Sequence, residues 1–204
     1  MVVILFDYDG VLIDSADVVI SFFSQLHEEF GTPPCKSKED LAQFYDTNVY
    51  EYLLTHGLEQ KDLNAVLERL RTFVREHQDQ FLPFDGIADA LSLLARYHTL
   101  YVLSSNLSAA ILDNLRKHDL AKFFQDVLGA DKGKSKTEKI KRVAEKHSGE
   151  TVYYVGDTAG DVFEAKKAGV IAVGVTWGYH DSARIEKAGP DIICEMPEDL
   201  LKLD

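Results

Sequence analysis

The sequence predicts a doubly wound parallel α/β sheet interrupted by an all-helical insert, and three observations carry that expectation. Residues 2–6 form an unbroken apolar run, as a strand buried on both faces requires. From residue 84 onward, short apolar runs alternate with segments of helical period, the order of a parallel sheet joined by crossover helices. Between them, residues 15–82 show helical spacing and no convincing strand. The expected division is therefore a core of residues 1–14 and 84–204 with a helical domain of residues 15–83 set into it.

The first strand runs directly into Asp7, Asp9 and the turn-forming Gly10. Side chains alternate faces along a strand, so Asp7 and Asp9 project to one side if extended geometry persists through Tyr8. Val18, Val19, Phe22, Phe23, Leu26 and Phe30 then recur at helical spacing, with Ser15 as the expected N-cap and Gly31, Pro33 and Pro34 as the stop. A second helix after Ser37 carries Leu41 and Phe44, residues 45–48 read as a break, and residues 49–54 resume. Leu63, Val66, Leu67, Leu70, Phe73 and Val74 make a long amphipathic stripe that ends near Leu82 and Pro83.

Beyond Pro83, a helix over residues 86–97 leads into a strand over 100–103 that stops at Ser104, Ser105 and Asn106. A helix carrying Ile111, Leu112 and Leu115 precedes a weaker strand at Val127 and Leu128. Ser135 and Glu138 have the spacing of a capping box for a helix reaching His147. A strand over 151–155 ends at Gly156 and Asp157, followed by a helix over 161–167 that stops at Gly169. Strands over 170–175 and 191–194, a loop at 177–180 and a helix opened by Pro197 complete the chain.

The composition excludes several classes of function. Of 204 residues, 46% are hydrophobic and 27% charged, which is neither disordered nor membrane-embedded. Asp and Glu number 34 against 22 Lys and Arg, a net charge of -12 that opposes nucleic-acid binding and favours a small cation. Cys35 and Cys194 lack metal-type spacing and read as free thiols of a reducing compartment. The first apolar run is too short for a signal peptide or a membrane span, so the expected location is the cytoplasm.

In doubly wound sheets ligands collect at the carboxyl ends of strands, where Asp7, Asp9, Ser104 and Asp157 all fall. Two adjacent carboxylates repel each other in an apolar setting unless a divalent cation joins them or one is protonated. Asp7, Asp9, Asp157 and Asp161 are hard oxygen donors suited to Mg²⁺. Ser104 offers a hydroxyl, Ser105 and Asn106 offer amides at an expected helix start, and Lys136 or a neighbouring lysine offers positive charge. Such a set meets the needs of phosphoryl transfer to an aspartate: a nucleophile, and fixed positive partners for the equatorial oxygens.

Asp7-Tyr8-Asp9-Gly10-Val11 resembles the first motif, DxDG[TV], of the haloacid dehalogenase-like hydrolase superfamily. Leu12-Ile13-Asp14-Ser15 resembles its phosphoglycolate-phosphatase-like branch. Ser104 resembles the second motif, Lys136 the third, and Gly156-Asp157-Thr158-Ala159-Gly160-Asp161 the fourth, GDxxxD. The resemblance implies a Rossmann-like core whose helical insert is the family's small cap. It further implies that Asp7 is the nucleophile and that Asp9 is the acid and base. Ser104 and Lys136 would hold phosphoryl oxygens. Asp7, the carbonyl of Asp9, and Asp157 would hold Mg²⁺, with Asp161 supporting it directly or through water. Ser105 competes with Ser104, and Lys132, Lys134 and Lys139 crowd Lys136, which is favoured by its place just before a helix.

The expected function is a Mg²⁺-dependent phosphatase acting on a small phosphorylated metabolite, phosphoglycolate-like or a sugar phosphate. Nucleic acid and membrane are excluded as partners, and a monomer or small homo-oligomer is expected. Tyr45 and Asn48, polar residues at the break between cap helices, are the candidates for substrate contact, with Ser105 and Asn106. A sugar-phosphate mutase uses the same pair of aspartates and remains an alternative, as does a non-catalytic phosphate-responsive module. A dehalogenase lacks the second acidic residue that Asp9 supplies. The single histidines, among them His180, show no metal-ligand spacing and are expected at surfaces or helix ends.

Overall fold

The computed structural model of the chain describes residues 1–46, 49–133 and 135–204. Its main sheet has six parallel strands in the order β5-β4-β1-β6-β7-β8. These are β1 (Val3–Asp7), β4 (Thr99–Leu103), β5 (Asp126–Leu128), β6 (Val152–Gly156), β7 (Ile171–Val175) and β8 (Ile192–Cys194). The uniform apolar run of β1 has the cause expected for it. Val3, Ile4, Leu5 and Phe6 are all fully buried, and alternate side chains enter different cores. Ile4 and Phe6 pack with Ile87 and Leu91 of α5 (Ile87–Leu94) and Ile111 of α6 (Ser108–Lys117). Val3 and Leu5 pack with Ile140 of α7 (Lys136–Lys146) and Val162 of α8 (Ala159–Ala168).

The chain leaves the core through β2 (Ile13–Asp14) and returns through β3 (Leu82–Pro83), which pair antiparallel. Between them lie α1 (Ala16–Phe30), α2 (Lys38–Phe44), α3 (Val49–Thr55) and α4 (Leu63–Glu76). Phe22 and Phe23 of α1 sit 5.5 Å apart, and Phe73 of α4 lies 5.4 Å from Phe22, so these aromatics form the insert's own core. The C-terminal part holds α9 (Ser182–Ala188), a stretch to which the sequence analysis assigns no element, and a 3₁₀ helix over Pro197–Lys202. Cys35 and Cys194 are buried free thiols. Among the described residues no helix is long and apolar enough to cross a membrane.

Two expectations at helix starts are corrected. Ser15 precedes α1 but makes no capping hydrogen bond, because its hydroxyl is turned to Asp9 Oδ1 at 2.9 Å. Ser105 and Asn106, expected at a helix start, precede α6 by three and two residues instead of opening it, since that helix starts at Ser108. At Ser135 the hydroxyl accepts from the Glu138 amide at 3.2 Å, one of the two bonds of the expected capping box.

Candidate active site

The sheet order places the site. β1 is central, and the chain runs outward on one side through β4 and β5, then crosses back to β6. A crevice opens at such a reversal, at the carboxyl ends of the strands. Asp7 is paired with Leu103 of β4, so Ser104 follows at the same level. Phe6 is paired with Val155 of β6, which carries Gly156 and Asp157 alongside Asp7 and Tyr8. Asp7, Asp9, Ser104, Ser105, Asn106, Lys136, Asp157 and Asp161 all line one cavity of about 100 Å³, and Tyr45 reaches it from the insert. Asn48 lies outside the described residues.

Among the described lysines, Lys136 lines the cavity. Its Nζ lies 2.7 Å from Asp7 Oδ2 and 2.8 Å from Asp161 Oδ1. Burial opposes a charged ammonium, yet Asp161 and Asp7 outweigh it and hold the Lys136 pKa well above its ordinary value. Lys139, one helical turn on, is buried and faces elsewhere. It donates to the carbonyls of Ser104, Leu128 and Gly129 at 2.7, 3.1 and 3.1 Å, tying the ends of β4 and β5 together. Its only signal in the sequence is the three-residue spacing from Lys136, which on a helix surface marks a neighbour.

The carboxylates differ in how they are held. Asp161 closes a reciprocal capping box with Thr158: Oδ2 accepts from the Thr158 hydroxyl at 2.6 Å and its amide at 3.2 Å. Its Oδ1 accepts from Lys136 and, at 3.0 Å, from the Tyr154 hydroxyl. Burial pushes the Asp161 carboxyl up, but Lys136 and these hydrogen bonds prevail and hold it below the usual range. Asp157 Oδ2 accepts from the Tyr179 amide at 2.8 Å, and burial with the neighbouring Asp161 and Asp7 charges drives its carboxyl well above the usual range. Burial likewise raises Asp7 to about 8 in spite of Lys136.

Asp7, Asp157 and Asp161 each bring an oxygen to within 4.8 Å of the others. Unmet negative charge and hard oxygen donors suit a divalent cation. The backbone is shaped to the same end. A Cβ on Gly10, whose φ is +76°, would fall 1.9 Å from Asp157 Oδ2, and one on Gly178 would fall 2.4 Å from it. Both glycines thus leave Asp157 its place beside Asp7. Each oxygen of Asp161 accepts two hydrogen bonds, whereas Asp7 Oδ1 accepts from the Tyr8 amide at 2.8 Å and Oδ2 from Lys136, so Asp161 is the more fully engaged by the protein.

Asp9 is gripped from two sides. Asn106 Nδ2 donates to Oδ2 at 2.8 Å, and Ser15 donates to Oδ1. Since the single Ser15 proton is used there, the Tyr179 hydroxyl, 2.7 Å away, donates to Ser15 Oγ. The Asn106 backbone amide is occupied by Ser104 Oγ at 3.0 Å, so its contribution is the side chain rather than the amide expected of it. The loop at 177–180, read from sequence as a connection, is part of the site. His180, expected at a surface or helix end, is fully buried. It accepts from the Ala159 amide at Nδ1, 3.1 Å, and donates from Nε2 to the Ala42 carbonyl of α2, 2.9 Å, so core and insert share one side chain.

The haloacid dehalogenase-like hydrolase family matches residues 4–175, a span that contains Asp7, Asp9, Ser104, Lys136, Asp157 and Asp161. The chain belongs to that family. A phosphoglycolate phosphatase of Synechococcus elongatus is 31% identical over 205 residues, covering 99% of this chain and 96% of that protein. A pyrophosphatase, PpaX, of Listeria innocua is 28% identical over 212 residues, covering 98% and 94%. Among solved structures, a haloacid dehalogenase-like family protein from Streptococcus pneumoniae superposes with a TM-score of 0.83 at 22% identity, covering 99% of this chain and 97% of that one. The fold of this hydrolase, a parallel α/β core with a helical cap, is shared with it.

Proposed function

We propose that this hydrolase is a Mg²⁺-dependent phosphatase that cleaves a small phosphorylated metabolite through an aspartyl-phosphate on Asp7. One observation carries the reading: the Lys136 ammonium bridges Asp7 and Asp161 at the mouth of a crevice that also gathers Asp9, Ser104 and Asp157. The similarity to a phosphoglycolate phosphatase and a pyrophosphatase supports phosphate as the group transferred. In the same reading residues 1–14 and 84–204 are the catalytic core, residues 15–83 the cap, and the protein is a cytoplasmic monomer or small homo-oligomer.

Asp7 and Asp157, with the Asp9 carbonyl, would hold Mg²⁺, and Asp161 would steady the site through Lys136. The ion supplies charge neutralisation that lets an anionic carboxylate approach an anionic phosphate. A carboxylate oxygen of Asp7 attacks phosphorus, the bond to the ester oxygen breaks, and Asp9 gives that oxygen its proton. Lys136 Nζ and the Ser104 hydroxyl hold the equatorial oxygens as charge spreads over them. Asp9, now ionised, takes a proton from water, whose oxygen attacks the phosphoaspartate and releases phosphate. Burial raises the Asp9 carboxyl above its ordinary range, against the pull of Ser15, Lys136 and Asn106, which favours the acid form at the first step.

Asp7→Asn should lower hydrolysis of phosphate esters by about a thousandfold or more and abolish the phosphoprotein seen by mass spectrometry after acid quench. Retained turnover in a folded variant would remove Asp7 as nucleophile. Transfer of the phosphoryl group to a second substrate hydroxyl, in place of phosphate release, would assign the mutase reaction instead.

A further inference from the structure

The two halves of the cavity differ in chemistry. The core half presents carboxylates, hydroxyls, the Asn106 amide and the Lys136 ammonium. The cap half presents Val19, Val49, Leu67, Leu70 and Val74, and among the described cap residues only Tyr45 adds a polar atom to the lining. Val49, Leu67 and Leu70 are only half-buried, so apolar surface is left facing the cavity. In-line attack places the leaving oxygen opposite the nucleophile. With Asp7 on the core floor, the group carried by that oxygen is directed to the cap half.

We infer that the leaving group is an apolar alcohol, alkyl or aryl, and that Val49, Leu67 and Leu70 select it. The inference rests on the phosphatase reading and names its substrate class. A carboxylate or a second phosphate set against valine and leucine side chains loses water without gaining a partner, and a sugar loses hydrogen bonds to several hydroxyls. An alkyl or aryl group covers the same side chains and releases the water on both. A cap lining of this kind would set this chain's substrate apart from those named for its phosphoglycolate phosphatase and pyrophosphatase relatives.

The test is a homologous series, methyl to n-butyl phosphate, assayed with the full-length protein and Mg²⁺ beside phosphoglycolate and pyrophosphate. Basicity of the leaving alcohol scarcely changes along the series, so the trend in kcat/KM reports contact with the cap. The expected gain is about fourfold per methylene, with butyl phosphate ahead of phosphoglycolate by about tenfold or more. Leu67→Arg should flatten the series and raise phosphoglycolate, and Leu67→Ala should reduce the slope without favouring an anion. A flat series in the wild type, a preference for phosphoglycolate or pyrophosphate, or slopes unchanged in both variants would overturn the inference and leave the phosphatase reading standing. Failure to hydrolyse any ester would overturn the phosphatase reading itself, and the inference with it.

Discussion

The Tyr179 hydroxyl lies 2.7 Å from Ser15 Oγ, which in turn donates to Asp9, so a residue remote in sequence orients the proposed acid and base. Tyr179→Phe keeps the ring and the backbone amide on Asp157 and removes only that donor. Its kcat should fall about three- to tenfold with KM changed less than about twofold. An unaltered kcat would disconnect Tyr179 from Asp9. Lys139 offers a prediction of another kind. Burial first, and the Lys136 charge second, pull its pKa down to about 8 against the attraction of Asp7, Glu164 and Asp131. Between that value and its ordinary one, the unfolded chain binds the proton and the folded chain does not. This group's contribution to stability therefore rises as pH climbs from about 8 to about 10.4. Urea unfolding at several pH values should show the rise in wild type relative to Lys139→Met, and parallel curves would refute it.

At the scale of elements, the site depends on loops that leave strand ends at tight angles. The turn after β1 needs the left-handed backbone of Gly10, and the loop after β7 passes so close to Asp157 that only glycine fits at 178. Gly178→Ala should displace the Asp157 carboxylate and weaken Mg²⁺ about ten- to a hundredfold, measured as the activation constant for the metal, while the fold persists. An unchanged constant would show that Asp157 does not hold the ion. The cap is tied down by the same loop. His180 joins Ala42 of α2 to Ala159 of α8, the Tyr45 and Tyr179 rings meet at 5.2 Å, and Arg184 of α9 reaches Glu39 at 3.0 Å. The buried histidine does more to fix this joint than the exposed ion pair, because loss of the ring leaves two polar groups unmet.

Across the whole molecule, a net charge of -12 surrounds a site meant for anions. Long-range repulsion should slow substrate approach, and salt screens it over a Debye length of about 10 Å at 0.1 M. At saturating Mg²⁺, kcat/KM for a phosphate ester should rise about twofold between low and physiological ionic strength. A fall would mean that the local field of the ion and Lys136 dominates the encounter. What the sequence by itself determined follows from local rules. Uniform apolar runs announced strands buried on both faces, helical stripes announced the cap, and Asp7, Asp9, Ser104 and Asp157 stood at strand ends that a parallel sheet must bring together. The turning of Lys139 to the strand-end carbonyls, the turning of Ser15 from helix cap to Asp9 partner, the entry of Tyr179 into the cavity and the place of His180 between core and insert were decided only by tertiary structure. Each depends on which of several polar groups lies within hydrogen-bond reach across the crevice. Sequence periodicity fixes the face of an element on which a side chain stands, but a hydrogen bond depends on ångström-scale distance and angle, which only packing of the elements supplies.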